Sequence, residues 1–265
     1  MSTQDQHPTT QQAEQTRERS VEPCGTTRNQ GGGTTFDQDA PSNSRSEATA
    51  QKSISGSEFD EAYTSGRPPW DISQPQPAFV ALAEAGRITG KVLDVGCGTG
   101  ENALFLGQLG LDVLGLDLSS VAIAEARMKA QARGVMARFV VGTALDLPSL
   151  EENFDTVIDS GLLHILSDAD RARLVAGLYV VLRSGGYLYI LAFNEHASWP
   201  GPRRLTQAEI RTTFEQGWEV EAICASRFEV VDGGGGAEAW LASIRRLPTL
   251  LRDSPGGESM TTPAA

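Results

Sequence analysis

A doubly wound α/β fold, with a mostly parallel seven-stranded sheet and an antiparallel last strand, is what this 265-residue sequence predicts. Three observations carry that expectation. From Lys91 onward, short apolar runs alternate with helical patterns, and strands separated by helices pair in parallel through right-handed crossovers. A glycine-rich turn, Asp94-Val-Gly96-Cys-Gly98-Thr-Gly100, falls directly between the first such run and the helix after it. Later, two extended runs are separated only by Val231-Asp232 and four glycines, too little chain for a helical crossover, so those two are antiparallel.

Residues 1–57 are rich in Gln, Thr, Ser, Gly and Pro, include Gly31-Gly32-Gly33, and hold few clustered apolar residues. Such a composition cannot offset its ordering entropy and reads as a disordered tail. Patterned sequence then runs over 58–248 as one domain. Its first part, Tyr63 to Pro77, contains Arg67-Pro-Pro-Trp-Asp71 and Gln74-Pro-Gln-Pro77, too many prolines for a helix interior. It reads as an ordered loop leading into a helix at Ala78–Ala85. Lys91–Val95 is the first strand, followed by a helix at Glu101–Leu109. Val113–Asp117 is the second strand, and Ser119 can cap a helix at Val121–Arg133. Arg138–Val141 and Thr156–Asp159 are the third and fourth strands. A helix at Asp168–Leu182 is expected to stop at Ser184-Gly185-Gly186, where glycine takes the left-handed terminal conformation. Tyr187–Phe193 is the fifth strand, Gln207–Glu215 a helix, and Glu219–Val230 and Glu238–Arg245 the reversed pair. Residues 249–265 turn small and polar again, as a flexible tail does.

A net charge of −12 and a pI near 4.7 argue against nucleic acid or an anionic membrane as partner. Arg203-Arg204 and Arg245-Arg246 are isolated pairs. No apolar run approaches the ~20 residues that span a bilayer, and the N-terminal stretch has neither a signal-peptide core nor the acid-poor composition of a transit peptide. Cys24, Cys97 and Cys224 are an odd, widely spaced set without CxxC, which speaks against a disulfide framework or a metal site and for a reducing cytoplasm.

The glycine turn carries the chemistry. Glycines let the chain turn tightly and bring backbone N–H groups close to a ligand, and the helix behind them favours a negative ligand group. A dinucleotide fingerprint starting at Gly96 needs glycine where Glu101 stands, and a P-loop needs a G-K-[ST] that is absent. What stands here is D-x-G-x-G-x-G, with Asp117 closing the next strand, placed to accept both hydroxyls of a ribose.

These residues resemble the first two motifs of class I S-adenosylmethionine-dependent methyltransferases, and the reversed strand resembles that family's Rossmann-like sheet. The resemblance spans about Lys91 to Arg246. It implies S-adenosyl-L-methionine as cofactor, with Asp94, Gly96, Gly98 and Gly100 around its methionine part and Cys97 facing it. Asp117 would hold the ribose, with Leu118 against the adenine. One departure is Thr143, with Ala144 beside it, where the family often places an acid near the adenine amino group. Thr143 can accept one hydrogen bond; Asp146 is a more distant substitute or a loop cap.

Two further segments, Gly66-Arg-Pro-Pro-Trp70-Asp71 with Gln74-Pro-Gln-Pro77, and Phe154 to His164, are similar to a smaller group of thiopurine, thiol, halide and heterocyclic-toxin methyltransferases. By that likeness Trp70 would cover the sulfonium, where cation–π attraction favours it; otherwise it plugs the N-terminal segment onto the core. Arg67 either meets an acidic substrate or is solvated. Asp159 ends a central strand, where such sheets bind ligands, or else caps a loop. His164 reads as a general base, a substrate donor or a packed side chain. His196 and Trp199 line the acceptor pocket or belong to a surface loop. A small-molecule methyl acceptor reacting at S or N follows, because a thiol with pKa ~8.5 or a ring lone pair needs no strong base. The alternatives are O- or C-methylation in quinone or natural-product biosynthesis, and a non-catalytic cofactor-binding scaffold.

Overall fold

The computed structural model describes residues 55–198, 201–231 and 236–248, all within the compact unit Thr35–Ala265. The tails, Trp199 and most of the glycine run lie outside the described residues.

Ser55 opens helix α1 (Gly56–Thr64) through a capping box with Glu58, so the first helix starts just ahead of the visible pattern. After the proline-rich segment come α2 (Pro77–Glu84), β1 (Lys91–Val95), α3 (Glu101–Gln108), β2 (Asp112–Asp117) and α4 (Ser120–Arg133). Ser119 does cap α4, its hydroxyl taking the Ala122 N–H. Then follow β3 (Ala137–Val141), β4 (Phe154–Ser160), α5 (Asp168–Val181), β5 (Leu182–Phe193), α6 (Gln207–Thr213), β6 (Trp218–Phe228) and β7 (Ala237–Arg246).

The seven strands lie in the order β3-β2-β1-β4-β5-β7-β6. β1 to β5 pair in parallel, and β7 is antiparallel to both β5 and β6. The last strand to be made is thus inserted between two earlier ones. Successive residues of β1 face opposite sides: Val92 packs with Phe79, Leu104 and Ile123, while Leu93 packs with Leu174, Leu178 and Phe214. Each such buried side chain contributes about 1.5–3 kcal/mol of transfer free energy.

One boundary differs from expectation. α5 stops at Val181 and Leu182 is already extended, so the glycine pair does not terminate the helix. Leu182 is fully buried and pairs with Phe154, and the register then shifts before Tyr187 meets Thr156. Gly185, at φ 79°, and Gly186, packed against the Asp155 carbonyl, make the irregular stretch between those pairs. Burial of Leu182 decided the helix end ahead of the glycine signal. Of the cysteines, Cys97 is a buried free thiol, and Cys24 lies outside the described residues. Among the described residues no helix is long and apolar enough to cross a membrane.

Candidate functional site

The strand order reverses between β1 and β4, and the crevice at such a switch point is where open α/β sheets take ligands. A cavity of about 300 Å³ opens there. Its floor is the turn from β1 into α3, where Gly96, Gly98 and Gly100 have φ of 72°, 53° and 84°. At Gly100 a side chain would place Cβ 2.7 Å from the Phe139 ring, and at Gly98 it would come 2.8 Å from the Tyr63 hydroxyl. The floor is bare because anything larger would collide. Glu101, the residue that breaks the dinucleotide spacing, is held by Arg133 at 2.7 and 2.9 Å and by Lys129 at 3.1 Å. Burial opposes its ionisation, yet these cations outweigh it and keep the carboxyl below its ordinary range.

Asp117 ends β2 with one oxygen taking the Gly98 N–H and the other the Ser119 N–H, both at 2.8 Å. Burial pushes its carboxyl up while those N–H groups pull it down. A carboxylate accepts about four hydrogen bonds, so two sites remain for ribose hydroxyls. Leu118, Thr143 and Ala144 continue the lining along this wall. Thr143 spends one lone pair on the Leu145 N–H.

The roof is the proline-rich segment, a strap tied down at several points. Asp71 accepts from the Thr99 hydroxyl at 3.1 Å, and Thr99 in turn accepts from Lys129 at 2.7 Å. The Gln76 amide makes two bonds of 2.9 Å with the Glu229 backbone, one each way. Its own N–H reaches the Asn102 side chain, and the Val231 N–H reaches the Pro69 carbonyl. Trp70, 42% exposed, sits between these anchors and donates its indole N–H to Tyr63 at 3.0 Å. In the middle of α1, Asp60 takes both hydroxyls of Ser119 and Ser120 and the Val121 N–H, locking that helix onto α4.

The far side is apolar: Leu162, Ile165, Leu166, Phe193, Phe228 and Val230. His164 stands among them, its ring tilted by 45° against that of Phe193 with centroids 4.8 Å apart, and its Nδ1 accepts the Phe193 N–H at 3.0 Å. That bond assigns the ring proton to Nε2. Burial alone lowers its pKa to about 3, so the ring is neutral near pH 7.

The sequence-expected residues Trp70, Gly96, Cys97, Gly98, Gly100, Asp117, Leu118, Thr143, Ala144 and His164 line this one cavity. Asp94 and Asp159 are fully buried and do not reach the lining. Asp159 accepts the Leu162 and Leu163 N–H groups at 2.8 and 3.0 Å, capping the turn that carries His164. Burial pushes it up to about 7 against those two bonds. Neither Asp94 oxygen has a hydrogen-bond partner, and burial pushes that carboxyl up to about 8; the Ala103 N–H pulls the other way without making a bond. Arg67 and His196 are exposed, away from the cavity. Sequence reasoning missed Tyr63, Asp71 and Gln76. Their only signal was a polar or aromatic residue inside the proline-rich segment, with nothing to say which way each points. Among the described residues no cluster of His, Cys, Asp and Glu could hold a metal.

A profile described as a methyltransferase domain matches residues 92–186. The 2-heptyl-1-hydroxyquinolin-4(1H)-one methyltransferase of Mycobacteroides abscessus is 33% identical over 179 residues, 65% of this chain and 79% of that protein. A solved structure described as "Conversion of a Disulfide Bond into a Thioacetal Group during Echinomycin Biosynthesis" is 41% identical with TM-score 0.67, covering 72% of this chain and 93% of that one. The magnesium protoporphyrin IX methyltransferase of Synechocystis with bound S-adenosylmethionine shares the fold at 24% identity and TM-score 0.50, covering 64% and 76%.

Proposed function

The chain belongs to the class I S-adenosylmethionine-dependent methyltransferases, and from that premise we propose that it methylates nitrogen or sulfur of a small heterocyclic or thiol compound. The observation that carries the proposal is the acceptor wall. It is mainly apolar and aromatic, its Asp170 is bound to the Ser167 hydroxyl, and its one histidine is a neutral donor with Nδ1 already engaged. A base has to accept a proton where the substrate offers one, and Nε2 already carries a hydrogen. An acceptor with a ready lone pair, or one that ionises by itself, suits such a wall. His164 then orients the acceptor by donating Nε2–H, and Asp159 acts as a positioning residue that holds the His164 turn.

When bound, S-adenosylmethionine supplies a methyl group on a positively charged sulfur. The residues around it have three tasks. The bare floor at Gly96, Cys97, Gly98 and Gly100, with Asp94 behind it, receives the methionine part; Asp117 receives the ribose; Leu118, Thr143 and Ala144 flank the adenine. Trp70 in the strap would cover the sulfonium and, with Phe193 and Phe228 in the same lining, exclude water. Alignment of nucleophile, methyl carbon and sulfur by such a shell contributes up to ~7–11 kcal/mol of barrier reduction. The position of the strap over the glycine floor supports the finer likeness to the thiopurine, thiol and heterocyclic-toxin group.

A second reading, transfer to oxygen, is favoured by the relative named for a hydroxyquinolone. A panel of azaheterocycles, thiols, hydroxyquinolones and phenols, incubated with isotopically labelled cofactor and scored by mass spectrometry, separates the two. Label is expected on ring nitrogen or sulfur, with His164→Ala slowing transfer less than about tenfold, below the 10²–10⁴ of a general base. Label on oxygen alone, with a hundredfold loss in His164→Ala, would establish the second reading instead.

A further inference from the structure

A cofactor with a methionine tail brings a carboxylate into the cavity, and the usual partner for a carboxylate is a lysine or arginine. Among the described residues neither type lines this cavity, whereas Asp71, Glu101, Asp117 and Asp170 all do. The carboxylate therefore depends on uncharged donors. Two hydroxyls at the wall are committed to carboxylates: Thr99 donates to Asp71, and the Ser167 hydroxyl is shared with Asp170 at 2.9 Å, while Thr143 sits on the adenosine side beside Leu118. Tyr63 is different. Its oxygen accepts the Trp70 indole N–H at 3.0 Å, while its own hydrogen has no acceptor among the described residues. The same oxygen lies 2.8 Å from where a Gly98 Cβ would stand, directly over the glycine floor at the start of α3.

We propose that Tyr63 donates its phenolic hydrogen to the methionine carboxylate of the cofactor, with the Trp70 N–H fixing the phenol oxygen for that task. The inference rests on the assignment of S-adenosylmethionine to this cavity. Two features favour it. The indole bond polarises the phenol and strengthens the bond it donates in turn. Burial, reinforced by the Asp117 charge, raises the phenol pKa well above its ordinary value, so the hydrogen stays in place across the physiological range. Strap and cofactor are thereby coupled: the residue that meets the carboxylate is also the one that holds Trp70.

Calorimetry on the full chain with two ligands tests this. One ligand is S-adenosylhomocysteine; the other is its decarboxylated analogue, which keeps the amine, thioether and adenosine. In Tyr63→Phe the ring is preserved and only the hydroxyl is lost. Affinity for S-adenosylhomocysteine is expected to fall at least tenfold, as for a lost hydrogen bond to a charged group. Affinity for the decarboxylated analogue is expected to change less than about twofold. Trp70→Phe should show the same ligand preference with a smaller loss. Equal losses for both ligands would mean that Tyr63 acts only by holding the strap, and no loss for either would mean that the carboxylate lies elsewhere; each overturns the proposal. A wild-type chain that bound neither ligand would instead overturn the cofactor assignment beneath it.

Discussion

Gly100→Ala is a direct test of why the floor of the site is bare. Gly100 has φ 84°, and an alanine there pays for the left-handed backbone and for the crowding of its methyl group. The first term is about 1–2 kcal/mol. The second comes from contacts of 2.7 and 2.9 Å to the Phe139 ring and 3.0 Å to Ala126, all within the core. Overpacking of that kind costs about 1–3 kcal/mol, because neither the strand-borne ring nor the helix can withdraw freely. The sum, roughly 2–5 kcal/mol, is measurable by urea denaturation. A double variant separates the terms. Phe139→Leu opens space, so combining it with Gly100→Ala should recover the crowding part and leave the backbone part. A coupling of about 1 kcal/mol or more is expected between residues in such contact. Additivity within about 0.5 kcal/mol would refute the steric account.

Two other outcomes follow from the site. Asp117→Ala removes the acceptor offered to the ribose, and cofactor affinity by calorimetry should fall at least tenfold with the thermal transition kept, since hydrogen bonds to a charged group contribute about 1.5–3 kcal/mol. Unchanged affinity would place the ribose elsewhere. His164, with its folded pKa lowered from 6.5 to about 3, binds fewer protons folded than unfolded over that window. Its share of stability is complete above pH 6.5 and drains as pH falls, so the stability gap between wild type and His164→Gln should change against wild type by about 1.4 kcal/mol per pH unit below 6.5. A gap that is flat between pH 6.5 and 5 would show that the histidine is not held neutral.

The parallel strands, the reversed pair and the glycine floor were legible because each has a local signature: apolar runs, short connections, glycine spacing. Asp117, Thr143 and His164 could be expected at one crevice because strand ends at a switch point converge, and they line one cavity. The α5 end was misjudged because two glycines looked like a stop, while burial of Leu182 against Phe154 is a long-range fact. The same limit hid Gln76, whose partner Glu229 is 153 residues away. It also hid Tyr63, which earns its place only when the strap folds back over Gly98. For Asp159 both a ligand role and a cap were open to the sequence; its two bonds to the turn at Leu162 and Leu163 became visible only in three dimensions.

The insertion of β7 between β5 and β6 bears on how the chain matures as it leaves the ribosome. Strands β1 to β5 can assemble in the order in which they emerge, each beside a neighbour already present. β6 cannot, because among the described residues it pairs only with the strand made after it. Until Ala237–Arg246 arrives, β5 presents an open edge, and Phe228 and Val230 at the end of β6 have no fixed place in the cavity wall. The strap is only partly fastened until then: Asp71 and the Gln76 N–H can already reach Thr99 and Asn102, but Pro69 and the Gln76 side chain hold onto Val231 and Glu229. Long-range pairing of this sort is slow and leaves edges exposed to other chains. A complete cavity wall therefore waits for β7.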